Sequence, residues 1–489
     1  LDELSASWDE LLGRFQVSTG DGKLDRMVNI WNQYQCMVTF NLSRSASYYE
    51  SGMGRGMGFR DSNQDLLGFV HMIPGRARSR ILDIAATQLP DGSAWHQYQP
   101  LTKKGNADIG GGFNDDPLWL IAGTSAYIKE TGDTSILSEV VTFDDGGEGT
   151  LFEHLTRSFE FTVTHKGPHG LPLIGRADWN DCLRLGADGE SSFVAMQFYY
   201  AISIICQFAR CKNDMKSSEY WEKKLEETGK LIQSLYWDND RFIRGYTQAG
   251  ERIGAAADKE ANLWLNPQSW AVISGLASKE QADIALEAVY RHLNTEYGAV
   301  LMNPPYHSHA FDGALSVIYN QGTKENAGIF SQSQGWLILA EAMCGHGEHA
   351  FTYFMENAPS AQNDRAEIRR LEPYCYGQFT EGSASRHPGR SHVHWLTGTA
   401  STMMVGCVEG ILGIRPDLTG IRLSPSIPQN WDCLEIHKDF RGKHLHIVIQ
   451  NPNRKESGVQ KLVLNGTELA ENYIPASLLN EKNEILLTM

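Results

Sequence analysis

GILGIRPDLTG, residues 410–420, divides the chain into two patterns. Upstream, apolar residues recur at i, i+3 and i+4, the spacing that lays one face of a helix on a core. Downstream, short runs alternate apolar and polar, the two-residue period of half-buried strands. The helical spacing predicts about eleven helices, over 24–38, 63–73, 76–89, 117–132, 151–164, 191–211, 218–237, 279–293, 334–347, 349–357 and 395–413. Long connections rich in Gly, Asn, Pro and aromatics lie between them, among them SGMGRGMGFRDS (51–62), TKKGNADIGGGFNDDP (102–117) and the stretch 303–330. Loops of that length inside a compact domain usually carry function. Helix pairs joined alternately by short and long loops predict a mainly α fold, an (α/α)6 toroid over 24–414 with its long loops at one mouth. The runs IRLSPSIP, LEIHKDF, KHLHIVIQ, KLVLNG and EILLTM predict a small C-terminal β-domain over 415–489, with a hairpin turning at Asn465-Gly466.

Composition narrows the function. The 489 residues are 41% hydrophobic and 21% charged, and no uninterrupted apolar run reaches the length of a membrane span. A formal charge of −16 argues against a general nucleic-acid binder, so an anionic substrate has to be gripped locally. The 8 cysteines are scattered without a Cys-x-x-Cys pair, which reads as free thiols in a reducing cytoplasm. The chain opens without Met and without the basic and apolar regions of a signal peptide, as a fragment or a processed start would. Without a secretory signal, Asn41-Leu-Ser and Asn465-Gly-Thr read as chance glycosylation patterns.

GRADWNDCLRLG (175–186) sets Asp178, Trp179, Asn180 and Asp181 on a loop. A general acid needs a carboxyl group partly withdrawn from water, and an adjacent indole provides that while offering a face to a sugar. The alternative is that Asp178 and Asp181 cap the next helix. Arg44, Arg55 and Arg60 are interleaved with glycines and followed by Asp61 and Asp65; they read either as planar forks for phosphate or sugar hydroxyls, or as buried Arg–Asp pairs. In HWLTGTAS, Thr397 and Gly398 cap a helix or present donors to an anion. The pairs His307/His309 and His392/His394 read as hydrogen-bonded structural histidines rather than metal ligands. Glycines at 110–112 lack the strand–turn–helix setting of a nucleotide site.

Several longer blocks, YQCMVTFNLSRSASYYESGMGRGMGFRDSNQDLLGFVH, HQYQPLTKKGNADIGGGFNDDPLWLIAG, GLPLIGRADWNDCL, TKENAGIF, LEPYCYGQFTEG and HWLTGTA, resemble the cellobiose phosphorylase group of glycoside hydrolase family 94 over about residues 25–430. The resemblance implies inverting phosphorolysis, in which inorganic phosphate attacks the anomeric carbon of a β-1,4-glucosyl disaccharide and releases α-glucose 1-phosphate. Phosphate needs positioning rather than deprotonation, so one catalytic carboxylate suffices. By resemblance Asp181 is the general acid. Arg55, Asp61, Trp179 and Gln378 hold the donor glucose, Arg60 belongs to the substrate-binding set, Lys324 and Glu325 line the acceptor side, and Arg44, Thr397 and Gly398 hold phosphate. Tyr319 is the glucose-selecting form where chitobiose phosphorylases carry a smaller residue. Gln332 stands where relatives carry a phosphate-contacting histidine.

The segment after Asp181 is shorter than in cellobiose enzymes, which leaves the acceptor open. By the same resemblance the family's N-terminal β-sandwich is expected to be missing from this sequence, with residues 1–23 as the end of its linker helix. No metal or organic cofactor is implied; the expected partners are disaccharide and phosphate, with neither nucleic acid nor membrane, in a homodimer. Three other readings stand beside cellobiose phosphorolysis: a cellobionic acid phosphorylase taking gluconic acid as acceptor, an inverting hydrolase with Glu325 as its base, and a non-catalytic sugar-binding module.

Overall fold

The computed structural model describes residues 1–44, 56–307 and 314–489. Helix and strand make up 44% and 21% of it, so the fold is mainly α. Twelve of its helices alternate between two environments. Six of them, Phe59–Leu67, Asp116–Thr131, Ser192–Cys211, Leu265–Ile273, Ser331–Cys344 and Thr399–Val405, pack each on the next, and the last returns to the first. The other six, Asn32–Leu42, Pro74–Ala85, Leu151–Thr164, Met215–Tyr236, Lys279–His292 and Gly347–Asn357, pack outside that succession. Burial separates the two sets. Asp116–Thr131 buries twelve of its 16 residues, whereas Met215–Tyr236 buries six of 22 along one stripe.

The outer helices start on local signals. Thr150 with Glu153 and Ser278 with Gln281 form reciprocal capping boxes, and Asp214 accepts from the Ser217 amide. One inner helix, Leu265–Ile273, falls outside the predicted set. Eight of its nine residues are buried, and Pro267 stands at its third position, so it has no polar face and no helical period to read. The helix Ser192–Cys211 is apolar enough by hydropathy, 1.4, and long enough to cross a membrane, but 78% of that window is buried inside the protein, where it serves as a core helix.

Four inner helices meet at an aromatic hub. Trp119 lies 5.4 Å from Trp270 and 6.1 Å from Trp336, and Phe193 lies 5.4 Å from Trp270, centroid to centroid. The two contacts to Trp270 are edge-to-face and the Trp119–Trp336 pair is stacked, aromatic packing that adds to simple burial and fixes ring orientation.

The C-terminal sheet is not drawn from 415–489 alone. Its strands run in the order Phe15–Ser18, Cys433–Phe440, Lys443–Gln450, Lys482–Thr488, Lys461–Leu464, Thr467–Leu469. The edge strand thus comes from the segment expected to be only a helix end: after the helix Asp2–Leu12, Phe15 pairs antiparallel with Lys438 and Ser18 with Glu435. Four residues are too few for the alternation in FQVS to stand out from the sequence. The Asn465-Gly466 hairpin forms as read, with φ of 49° and 83° at its two central residues. Lys438, 2% exposed, reaches Glu130 at 2.5 Å, and Arg441 donates to the Lys129 carbonyl at 2.7 Å, closing the C-terminal end of Asp116–Thr131. All eight cysteines are free.

Gly335 lets two inner helices touch, since a Cβ there would run into the backbone of Thr402. Gly335→Ala is expected to cost about 1–3 kcal/mol through overpacking. Urea titration checks this by a lower midpoint at unchanged slope.

Candidate active site

The site is assembled at the N-terminal ends of the inner helices. Arg60 is the second residue of Phe59–Leu67, Asp115 precedes Asp116–Thr131, Ser191 caps Ser192–Cys211, Asn266 is second in Leu265–Ile273, Gln332 is second in Ser331–Cys344, and Gly398 precedes Thr399–Val405. Polar contacts join these ends. Arg60 donates to both Asp115 oxygens at 3.3 Å, Asn266 donates to Asn180 at 3.5 Å, and the Gln332 amide donates to Gln64 at 2.8 Å.

The loop 175–186 lies across this mouth, held by the Arg176 amide donating to the Gly112 carbonyl at 2.6 Å. Its two aspartates take different roles. Asp178 is fully buried and accepts from Arg244 Nη2 at 2.6 and 2.7 Å, from Ser191 Oγ at 2.5 Å and from the Asn180 amide at 2.9 Å. Arg244 is itself fully buried beneath the loop, with the Trp264 ring 5.4 Å away. Neither aspartate caps the following helix; Ser191 does, accepting from the Val194 amide at 3.1 Å. Asp178 is therefore a buried structural anchor, and Asp181, its side chain 52% exposed, is the carboxylate presented to solvent.

Asp181 is held by Arg60 Nη2, whose guanidinium also donates to the Asp178 carbonyl at 2.9 Å. Beside it lie Glu325, Cys182, Tyr319 and Lys324. Glu325 is 8% exposed and accepts from the Cys182 amide at 3.2 Å. Burial, with the charge of Asp181 adding to it, pushes the Glu325 carboxyl up to about 8. Tyr319 engages Cys182, and burial raises its phenol far above the usual range. Lys324, at φ 44°, sets its ammonium 5.6 Å over the Tyr319 ring and 5.9 Å over Phe379. Asn326 straps this loop down, donating to the Tyr306 and Tyr319 carbonyls at 3.0 and 3.1 Å.

Trp179 is 7% exposed, its edges packed on Phe330 at 5.1 Å and Trp336 at 4.9 Å. The indole is thus the top of the hub beneath Asp181, and most of its faces are covered by protein. Gln378 stands half-buried on the strand Gly377–Thr380.

On the other side of the mouth, Arg44 is 4% exposed between Asp65 at 2.7 Å and Asp61 at 3.6 Å. The reading of buried Arg–Asp pairs therefore holds for Arg44 and for Arg60. Burial raises the Asp65 carboxyl to about 6 against the pull of Arg44. A side chain at Gly58 would collide with the Asp61 carboxylate, which explains one glycine of that run. Gly398 and Gln332 are in contact, since a Cβ on Gly398 would lie 2.7 Å from Gln332 Nε2. Thr397 Oγ1 is 2.8 Å from Thr399 Oγ1 and accepts from the Thr399 amide, a capping geometry.

Arg55 and His309 lie outside the described residues. His392 bonds Glu381 at 2.7 Å and His307 faces Glu260 at 3.2 Å, so both are hydrogen-bonded as read. Sequence reasoning missed Arg244, Asp115, Ser191 and Asn266. The Asp115-Asp116 pair before a predicted helix was a visible signal, and so was a lone arginine in the apolar run FIRGY.

Residues 7–413 match the family model described as the catalytic domain of the glycosyl hydrolase 94 superfamily. The chain is 32% identical to the N,N'-diacetylchitobiose phosphorylase of Vibrio proteolyticus, over 99% of this chain and 63% of that protein. It is 29% identical to the solabiose phosphorylase of Paenibacillus borealis, over 94% of this chain and 58% of that protein. It thus spans a little under two thirds of the length of these relatives. A sialidase structure matches in fold alone, with a TM-score of 0.62 at 11% identity over 99% of this chain and 42% of that one.

Replacing Arg244 would leave the Asp178 charge buried and unpaired. Arg244→Met is expected to destabilise the protein by about 3–5 kcal/mol, read from chemical denaturation. Glu325 gives a pH signature: its folded carboxyl lies above its unfolded value of 4.5, so its contribution is fully present below about 4.5 and is lost as pH rises through about 8. Glu325→Gln is expected to flatten the fall in stability across that window, measured as urea midpoint against pH.

Proposed function

Because the chain belongs to the glycosyl hydrolase 94 superfamily, we propose that it forms the catalytic part of an inverting glycoside phosphorylase acting on a β-linked disaccharide. The alternating helices are read as an (α/α)6 toroid whose N-terminal mouth is the cleft. In this reading Asp181 donates its proton to the glycosidic oxygen while a phosphate oxygen attacks the anomeric carbon from the opposite face. The bond to the leaving sugar breaks, the acceptor departs with a free hydroxyl, and α-glucose 1-phosphate forms with inversion. Arg60 positions Asp181; Arg55, Asp61, Trp179, Gln378 and Tyr319 frame the donor; Lys324 and Glu325 line the acceptor side. Arg44, Thr397, Gly398 and Gln332 hold phosphate.

One observation carries the choice of phosphorolysis over hydrolysis. An inverting hydrolase needs an ionised base to activate water, and its obvious candidate, Glu325, is 8% exposed with its carboxyl raised to about 8. At neutral pH it stays mostly protonated, which suits a hydrogen-bond donor to a sugar and not a base.

Tyr319 favours a glucose donor, with glucose or gluconic acid as acceptor, while the 32% likeness to a diacetylchitobiose phosphorylase supports an N-acetylated donor as the second reading. Release of sugar 1-phosphate is assayed on cellobiose, cellobionic acid and N,N'-diacetylchitobiose, with and without phosphate. Phosphate-dependent release from one of them is expected, and free glucose formed without phosphate would sink the reading. Asp181→Asn is expected to lower phosphorolysis by roughly 10²–10⁴-fold, the loss of a general acid. Gln332→His should make KM for phosphate pH-dependent, tightening below about pH 6.5 as the imidazole charges.

A further inference from the structure

Far from the cleft, the turn between the inner helix Ser331–Cys344 and the outer helix Gly347–Asn357 gathers a second set of chemically active groups. Glu341 is fully buried near the C-terminal end of its helix. His346 Nδ1 lies 2.6 Å from Glu341 Oε2, and His349 Nδ1 lies 3.7 Å from Glu341 Oε1. One donor atom from each of the three residues falls within 4.8 Å of the others. Glu341 Oε1 accepts no hydrogen bond among the described residues, although the side chain is wholly withdrawn from water. A buried carboxylate oxygen without a hydrogen-bond partner is rare in a folded protein and marks a place for a ligand.

The surroundings orient both imidazoles. Asp283, on the helix Lys279–His292, sets Oδ1 3.4 Å from His346 Nε2, leaving Nδ1 to face Glu341. A carboxylate behind a ligating histidine fixes its tautomer and raises its basicity. The Tyr290 ring stacks on His349 at 4.1 Å, with 8° between planes, and holds that ring in place. Two imidazole nitrogens and one carboxylate suit a borderline divalent ion such as zinc better than calcium or magnesium, which take oxygen ligands.

We propose that Glu341, His346 and His349 bind one zinc-class divalent ion that fastens an inner helix of the ring to its outer partner. With Asp283 behind His346, the ion would tie three helices together at the end of Ser331–Cys344 opposite Gln332. Nine residues of helix separate Glu341 from Gln332, about 14 Å along the axis, so the ion takes no part in sugar chemistry. A second cluster, Glu435, His437 and His446, is more exposed, standing on the face of the C-terminal sheet, and serves as the internal control.

Chelator-treated protein is titrated with zinc chloride by calorimetry and by thermal melting. One equivalent of zinc and a Tm raised by a few degrees are expected, since a ligand held by the folded state alone stabilises it. His346→Ala/His349→Ala should abolish both effects, and the milder His349→Gln should weaken binding at least about tenfold. Asp283→Asn should weaken it by roughly 10–100-fold. His437→Ala/His446→Ala should leave both unchanged. Failure of the parent protein to bind zinc, survival of binding in the His346/His349 variant, or its loss in the His437/His446 variant would each overturn the proposal.

Discussion

The buried ion pair between Arg244 and Asp178 is the constraint on which the cleft depends. Both side chains are fully buried, and the geometry at 2.6 and 2.7 Å uses both carboxylate oxygens, with Ser191 and the Asn180 amide completing the set. A charge pair so far from water contributes little net stability against an apolar substitute. What it supplies is position. Tied at Asp178, the loop 175–186 has one arrangement over the hub, and three residues on, Asp181 emerges into the mouth with Arg60 against it.

The hub is the second half of the same device. Trp119, Trp270 and Trp336 from three inner helices, with Phe193 from a fourth, make a rigid floor, and Trp179 sits on it. Rigid aromatic packing under a polar loop keeps Asp181 and its neighbours at fixed separations. The two carboxyl groups beside it differ in setting: Asp181 is half-exposed and ion-paired with Arg60, whereas Glu325 is buried and accepts from the Cys182 amide.

Much of this was legible along the chain. Outer helices such as 151–164 and 279–292 carry clear stripes and capping boxes, and the strands after residue 414 alternate cleanly, down to the Asn465-Gly466 turn. The site residues Arg60, Asp61, Asp181, Lys324 and Glu325 stand in blocks dense in glycine and polar groups. What escaped reading did so for physical reasons. Leu265–Ile273 is buried all round and so has no period, FQVS is too short to declare itself a strand, and Arg244 belongs to the site only because the chain returns there.

The sequence by itself determined the mainly helical pattern, the alternating strands after residue 414 and the family, because these rest on local period and residue type. Tertiary structure alone decided which aspartate is the anchor and which faces the cleft. Asp178 and Asp181 are the same residue type three positions apart in one motif. Only the arrival of Arg244 from 66 residues away, and of Arg60 from 121 residues in the other direction, tells them apart. The same holds for Glu325, whose raised proton affinity comes from burial that no stretch of sequence around it reveals.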